Sequence, residues 1–423
     1  MRNKPDAFNQ AESLIGTIID KINGMNKSRK KFIQHILILF MGIRGRYNFL
    51  NMARYGEYSE QSYRNNFENR FDFIGFNIEL INQTCSKHRI LAFDPSYIPK
   101  SGKHTDHLGW FWSGTSGKAL KGLEIGGLAV IDIDNNTAMS LEAIQTPSSK
   151  ELKAEGMTLV DHYARIIVER KKLLRPLSDY LAVDGYFAKY NFIETITKQT
   201  GLHIISKLRG DANLHYLYHG LQSELRGRPQ KYDGKVQIKN IDKRRIRLEY
   251  EDEHSKVYCA IVWSAGLKRE VKVAYVEYWK DGIYAGQYAV LFATDLNLQG
   301  EQIYLYYKSR FQIEFLYRDA KQHCGLNHCQ GRSENKLHFH FNASLSTVSL
   351  AKAAYYLPAK EACLPLKEHP RVAFSMSDVK TLNANKIIAE RILSNLDLDL
   401  NNKKIRALYK EVLFLGSISS MAA

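Results

Sequence analysis

Two short apolar runs, Ile90-Leu91-Ala92-Phe93 and Tyr180-Leu181-Ala182-Val183, each stop on an aspartate, Asp94 and Asp184. Runs this short, bounded by polar residues, read as strands buried on both faces. A sheet covered by helices supplies that burial, and the order of the flanking elements decides whether the middle of the chain has that layered α/β design. The flanking periodicity agrees. Residues 128–134 and 138–145 read as strands joined by an Asn135-Asn136 turn. Lys153 to Leu174 has helical spacing, Gly185 opens a helix through about Lys198, and 203–207 is a fifth strand. The order strand, hairpin, helix, strand, helix, strand predicts a mixed sheet over 86–207.

On either side the pattern changes. Residues 1–85 read as helical, with apolar spacing from Ala11 to Ile22, a buried segment from Phe32 to Phe40, and a third from Tyr47 to Tyr55. After Gly56, Ser59-Glu60-Gln61-Ser62 resembles a capping box that restarts the helix. Helix, glycine turn, helix is the grammar of helix-turn-helix modules, and the second helix carries Arg64, Asn65, Asn66 and Arg70. A plain helical bundle with a solvated polar face fits the same residues. Residues 208–300 alternate like antiparallel strands at 235–238, 245–250, 257–263, 271–279 and 288–294, an all-β insertion. Its early part is basic: Arg226, Arg228, Lys231, Lys235, Lys239, Lys243, Arg244, Arg245 and Arg247. Helix returns from Gly300 to about Cys324, the core resumes over 301–355, and 356–423 reads as a helical C-terminal region.

The 423 residues hold 60 Lys+Arg against 44 Asp+Glu, a net charge of +16. Such an excess favours a polyanionic partner, nucleic acid first; a basic enzyme without one is the bland alternative. A hydrophobic content of 44% excludes wholesale disorder. No apolar run is long enough to span a bilayer, and the first residues lack the apolar segment of a secretory signal. Five cysteines without framework spacing fit a reducing cytosol. The expectation is a soluble cytoplasmic protein with no membrane partner.

Carboxylates just beyond strand ends in an α/β sheet sit where sites cluster, and they are costly there unless solvated, paired or metal-bound. A third acid comes from the helix after the insertion. Tyr307, Arg310, Glu314 and Lys321 fall within an arc of roughly 60° on a continuous helix. Leu305, Ile313, Leu316 and Ala320 lie opposite as a core stripe; ordinary Arg–Glu spacing on a solvated face would look alike. Asp94, Asp184 and Glu314 can converge on Mg²⁺, which prefers oxygen ligands. Two such ions about 3.5–4 Å apart serve phosphodiester displacement. Arg310 and Lys321 would hold flanking phosphates, and Tyr307 would hydrogen-bond or stack. Asp132 and Asp134 read as turn chemistry, Asp161 and Asp179 as surface, and Asp295 as the substitute should one acid be misassigned. The loop containing Lys103 lacks phosphate-loop spacing and reads as a basic loop touching DNA. His323-Cys324 and His328-Cys329 hint at zinc, but as adjacent pairs rather than ligands two apart.

Together, strand-end Asp94, Val183-Asp184-Gly185-Tyr186 and the spacing Tyr307-x2-Arg310-x3-Glu314-x6-Lys321 resemble the DDE transposases of bacterial insertion sequences. The likeness is strongest to the IS-four-like group with its Tyr-Arg-Glu-Lys signature. Ala293-Thr294-Asp295-Leu296 and Gly325-Leu326 with Gln330-Gly331-Arg332 look like that group too, and the likeness spans about residues 86–345. It implies an RNase H-like catalytic core and a β-rich insertion before the glutamate helix, while the helix-turn-helix pattern makes 1–85 the candidate DNA-binding helical domain. Asp94, Asp184 and Glu314 would bind two Mg²⁺ ions, with Mn²⁺ as substitute. Tyr307, Arg310 and Lys321 would contact double-stranded DNA at the element's end near the cleaved phosphate; Lys103 of the basic loop and Arg64 of the second helix are further DNA-contact candidates from the residue reading alone. The implied reaction is cut-and-paste: hydrolysis at the element's 3′ end, then attack of the freed 3′-hydroxyl on target DNA. A homodimer pairing two ends and a nucleoid-associated bacterial setting are implied as well. Some relatives excise through a hairpin while an insertion-domain Trp stacks on a flipped base; Trp263 and Trp279 fit that role or sheet core. A catalytically silent DNA-binding protein and another RNase H-like nuclease are the alternatives.

Overall fold

The sheet predicted from the two apolar runs is present in the computed structural model, which describes residues 4–222, 228–357 and 374–417. Arg226, Cys363 and positions 358–373 and 418–423 of the C-terminal region lie outside the described residues. The chain opens with α1 (Lys4–Lys21), α2 (Lys27–Gly42), α3 (Phe49–Tyr55), α4 (Glu60–Glu68) and α5 (Phe73–Thr84). Strands β1 (Arg89–Pro99), β2 (Gly109–Ser113), β3 (Lys118–Asp132) and β4 (Thr137–Gln145) follow. Then come α6 (Ser149–Ala154), α7 (Leu159–Glu169), α8 (Lys171–Leu174), β5 (Tyr180–Val183), α9 (Tyr190–Thr200) and β6 (His203–Leu208). The β-rich stretch holds β7 (Leu214–Leu217), β8 (Tyr232–Lys235), β9 (Arg247–Glu251), β10 (Ser255–Ser264), β11 (Arg269–Lys280) and β12 (Ile283–Ala293). Helices α10 (Gly300–Ser309), α11 (Gln312–His323), α12 (Glu334–Tyr355), α13 (Met376–Asn395) and α14 (Lys403–Phe414) complete the described elements.

The strands run in the order β2-β3-β1-β5-β6-β12-β11-β10-β7-β8, with β4 beside β3 and β9 beside β10. Pairing is parallel between β1, β5 and β6 and antiparallel elsewhere. The expected insertion strands therefore extend the same sheet, because β12 returns beside β6 with Ala293 opposite Ile205. The strand expected at 235–238 lies at Tyr232–Lys235, and Ile238 falls in a 3-10 turn. β1 outruns its apolar run. It stays paired to β3 as far as Pro99, opposite Gly122, although its last partner on β5 is Val183, opposite Phe93. Pro95 sits past that point, where one side of β1 has lost its strand and a missing N–H is tolerated. The single helix expected over 153–174 is three. Gly156, at φ +67°, ends the first, and a Thr158–Asp161 capping box starts the second.

Among the described residues β4 has no strand on its outer side, and helices close that edge with side chains. Asn342 on α12 both accepts from the Ala143 amide (2.8 Å) and donates to the Ala143 carbonyl (2.9 Å). Ser349 accepts from Ser140, Asn77 on α5 donates to Leu141, and Lys352 donates to Ala138. Asn342, Ser349 and Lys352 of α12 thus answer β4 backbone groups that would otherwise go unpaired. Helices α1, α2, α4 and α5 in turn pack on α12, with Phe67 of α4 against Phe339 at 4.4 Å between ring centroids.

Candidate active site

The cleft starts where β5 stops. Asp94 and Asp184 are the next residues after the last β1–β5 pair, so they leave adjacent parallel strands side by side, backbones about 4.8 Å apart. Phe93, Tyr163 and Phe187 form the floor, with ring centroids 5.4–5.7 Å apart. Helix α11 crosses above, its Ile313, Leu316 and Ala320 buried as the core stripe requires. Two bonds to the β1 backbone hold it there. Tyr317 donates to the Asp94 carbonyl at 2.6 Å, and Lys321 donates to the Tyr97 carbonyl at 3.0 Å. Gly127, opposite Asp94 on β3, permits this approach, since a Cβ there would collide with the Tyr317 hydroxyl. The resulting cleft, about 950 Å³, is lined by Asp94, Asp184 and Glu314 together with Glu124, Trp110, Trp112, Tyr186, Arg318 and Lys321.

Negative charge dominates the cleft. Burial pushes the Asp94 carboxyl up to about 7; Arg310 opposes this, and Glu314, Asp184 and Glu124 reinforce it. Glu314 is raised by burial and by Asp184, again against Arg310. Arg310, itself buried, stands between the two, with Nη1 3.9 Å from Asp94 Oδ1 and Nη2 3.4 Å from Glu314 Oε1. Among the described residues its Nε has no hydrogen-bond partner. The Tyr307 phenol is pushed up to about 12 by burial and by its hydrogen-bond partner Asp184, with Arg310 working the other way. Burial lowers Lys321, and Asp94 counteracts it. The four carboxylates outnumber the cations Arg310, Arg318 and Lys321, of which Arg318 is paired with Asp319, and their donor atoms are all oxygen, which is the chemistry a hard divalent cation takes. Among the described residues no three His, Cys, Asp or Glu side chains are already gathered into a metal-holding group. The donor set fits such an ion in kind, and Arg310 holds the position between two of its members.

A family model for the transposase DDE domain matches residues 86–350. The chain belongs to the DDE transposase family. These are DNA-binding, nuclease-type enzymes of transposition and recombination, and the family typically uses divalent metals. The mixed α/β sheet is consistent with an RNase H-like transposase domain. A comparison with curated proteins finds no match. Among the described residues no helix is long and apolar enough to cross a membrane.

The transposase brings Asp94, Asp184, Glu314 and Lys321 into one cleft, with Tyr307 and Arg310 at its margin through Asp184 and Asp94. Two expectations need correction. Asp94 lies within β1 rather than at its end, for the pairing reason given above. The helix carrying the Tyr-Arg-Glu-Lys residues is interrupted at Arg310 and Phe311. There the amides of Phe311, Ile313 and Glu314 bond three residues back instead of four. Leu305 is only partly buried, while Phe311 is 47% exposed. Asp295 is no substitute acid: it accepts from Tyr180 at the start of β5, roughly 13 Å along the strand from Asp184. Asp132 accepts from Ser86 and Asn135 as a turn residue, Asp161 caps α7, and Asp179 pairs with Arg175.

The remaining candidates lie elsewhere. Lys103 is exposed on the loop after β1, whose Lys100 is anchored to the carbonyls of Cys329 and Gly331. Arg64 is paired with Glu60 and lies over the Phe49 ring, and Asn66 accepts from Arg29. Arg70 bonds Asn335. Trp263 packs near Tyr232, and Trp279 near Tyr284 and under Lys256. β11 is three strands from β5, roughly 14 Å. Burial pushes the Cys324 and Cys329 thiols up to about 12 and about 11, and His340 bonds the Gly325 carbonyl. Sequence reasoning missed Glu124, which accepts from Tyr163, and it missed Tyr317, Trp110 and Trp112. Glu124 had one local signal: it is the lone acid within the apolar stretch of β3.

Proposed function

We propose that this transposase binds the terminal repeats of an insertion sequence and performs Mg²⁺-dependent cleavage and strand transfer by a cut-and-paste route. The observation that carries the proposal is the convergence of Asp94, Asp184 and Glu314, from two adjacent parallel strands and one crossing helix, on a single cleft. These carboxylates would hold the ions, with Mn²⁺ as substitute. Bound there, two ions would supply positive charge for activating the attacking oxygen and stabilising the leaving one. Arg310 and Lys321 bind phosphate oxygens beside the acids, and Tyr307 orients the Asp184 carboxylate. Water attacks the phosphodiester and frees the element's 3′-hydroxyl, which then attacks target DNA. Lys103 and Arg64 give further contacts to duplex DNA, and a homodimer brings the two ends together. The Tyr-Arg-Glu-Lys spacing supports placement in the IS-four-like group, in a bacterial cytoplasm at the nucleoid.

The test is a labelled duplex carrying the element's own ends, incubated with Mg²⁺ or EDTA, for wild type and Asp94→Ala. Nicking that needs the metal and disappears in the variant is the expected result. Nicking that survives in Asp94→Ala would remove the cleft from the chemistry. Tight binding without nicking under either condition would make the chain a silent DNA-binding protein.

A further inference from the structure

Strand β2 is the outer strand of its end of the sheet, and it reads Gly109-Trp110-Phe111-Trp112-Ser113. The alternation of a strand sends Phe111 inward, where it is 5% exposed, and turns both tryptophans outward, at 67% and 63%. Two of the largest apolar side chains in the protein are thus left in water, next to each other, at the mouth of the acidic cleft. Surface apolar residues placed singly need no explanation, but an adjacent pair of exposed indoles lining a site does. We infer that Trp110 and Trp112 form a stacking platform that takes unpaired nucleotides of the DNA strand entering the cleft. The inference rests on the proposal that this cleft processes DNA strands.

Three observations favour that occupant. Side chains two residues apart on a strand stand about 6.8 Å apart. That is twice the 3.4 Å rise of stacked nucleotides, the separation at which two rings admit one base between them. Indole faces are also what unpaired bases seek, whatever their sequence, whereas bases within a duplex are already stacked. The surroundings supply phosphate partners: exposed Lys121 lies directly across from Trp110 on β3, and Arg318 and Lys321 line the same cleft. The charge of +16 suits a polyanion better than a second copy of the same basic chain.

The experiment uses the full chain in EDTA, so that no strand is cut. The probes are a duplex with a short single-stranded 3′ overhang carrying 2-aminopurine, and the blunt form of the same duplex. Wild type should prefer the overhang and quench 2-aminopurine. Trp110→Ala and Trp112→Ala should each lose between about 5-fold and about 150-fold in overhang affinity, with the quench. Trp112→Phe, which keeps an aromatic face, should retain most of both. Circular dichroism confirms that each variant is folded. Unchanged overhang affinity in the alanine variants would overturn the platform. So would an equal loss on blunt and overhang DNA, or a wild-type dimer that becomes monomeric in the variants, which would mark the face as a contact between copies. The Asp94→Ala nicking assay is independent of this readout. If it fails, the cleft's assignment falls while stacking on the overhang is still measured.

Discussion

Replacing Asp94 by Asn should stabilise the protein while abolishing its chemistry. A carboxyl held at about 7 in the folded chain, against 3.8 when unfolded, is a cost to folding once it ionises. The sign is fixed by linkage. Below pH 3.8 both states are protonated and Asp94 costs nothing. Between 3.8 and about 7 the unfolded chain sheds its proton first, so stability falls as pH rises, and above 7 the penalty is constant. At 1.36 kcal/mol per pH unit the full span corresponds to about 4 kcal/mol. About a fifth of the side chain is solvent-accessible, and water screens it, so the gain on substitution is nearer ~2 kcal/mol. Asparagine keeps the shape and removes the charge. Urea unfolding in EDTA should therefore show Asp94→Asn more stable than wild type at pH 8, with the gap closing near pH 4. Adding Mg²⁺ should raise the wild-type midpoint and leave the variant's almost unmoved, because an ion bound only by the folded acids stabilises by mass action. An Asn variant less stable than wild type at pH 8, or a gap that does not change with pH, would refute the reasoning.

Gly127→Ala should cost about 1–3 kcal/mol, because the new methyl meets the Tyr317 hydroxyl and α11 must shift off β1. Adding Tyr317→Phe should recover part of that loss, and a double-mutant cycle that is strictly additive would deny the contact. Arg170→Met should cost about 3–5 kcal/mol at pH 7, since it strips the closest cation (2.5 Å) from buried Glu142. Burial raises the Glu142 pKa, but the His338 hydrogen bond and Arg170 outweigh it and hold the carboxyl below its usual 4.5. Its contribution is present above that value and is lost as pH falls through the depressed one, so the wild-type advantage in denaturant should shrink at pH 3. DNA affinity should fall steeply between 50 and 200 mM salt if phosphate contacts dominate, and filter binding across that range would expose a flat slope.

Where local pattern and tertiary demand coincide, the sequence is readable. Four apolar residues followed by Asp announce both a buried strand and the edge of a site, and Asp94 and Asp184 do meet in one cleft. What local pattern cannot carry is pairing. Asp94-Pro95 reads as the end of a strand, yet β3 extends β1 to Pro99. No glycine or proline marks the interruption at Arg310, whose guanidinium instead lies between carboxylates from β1 and α11. Asn342 and Ser349 of α12 look like solvent-facing residues, but β4 needs them as partners. Trp110-Phe111-Trp112 alternates over too few residues to declare a strand, although three aromatics in a row were a visible signal.

The way α11 is fixed bears directly on how such a site can work. A helix docked through its acids would move whenever those acids changed protonation or took up a cation. Here Glu314 is one and two turns away from anchors that are not carboxylates: a phenol and an ammonium, each donating to a backbone carbonyl of β1. Backbone carbonyls do not titrate, and the Tyr317 phenol stays protonated because burial and the nearby acids raise it well above its ordinary value. The Tyr317 anchor, one turn from Glu314, is therefore independent of the charge state of the carboxylates, whereas the Lys321 anchor keeps its proton with help from Asp94. Arg310 can be released from between them without loosening the helix, and two of the three Lys321 donors remain for a phosphate. Preorganised backbone anchors suit a cleft whose acids outnumber its cations and would be neutralised by a bound cation.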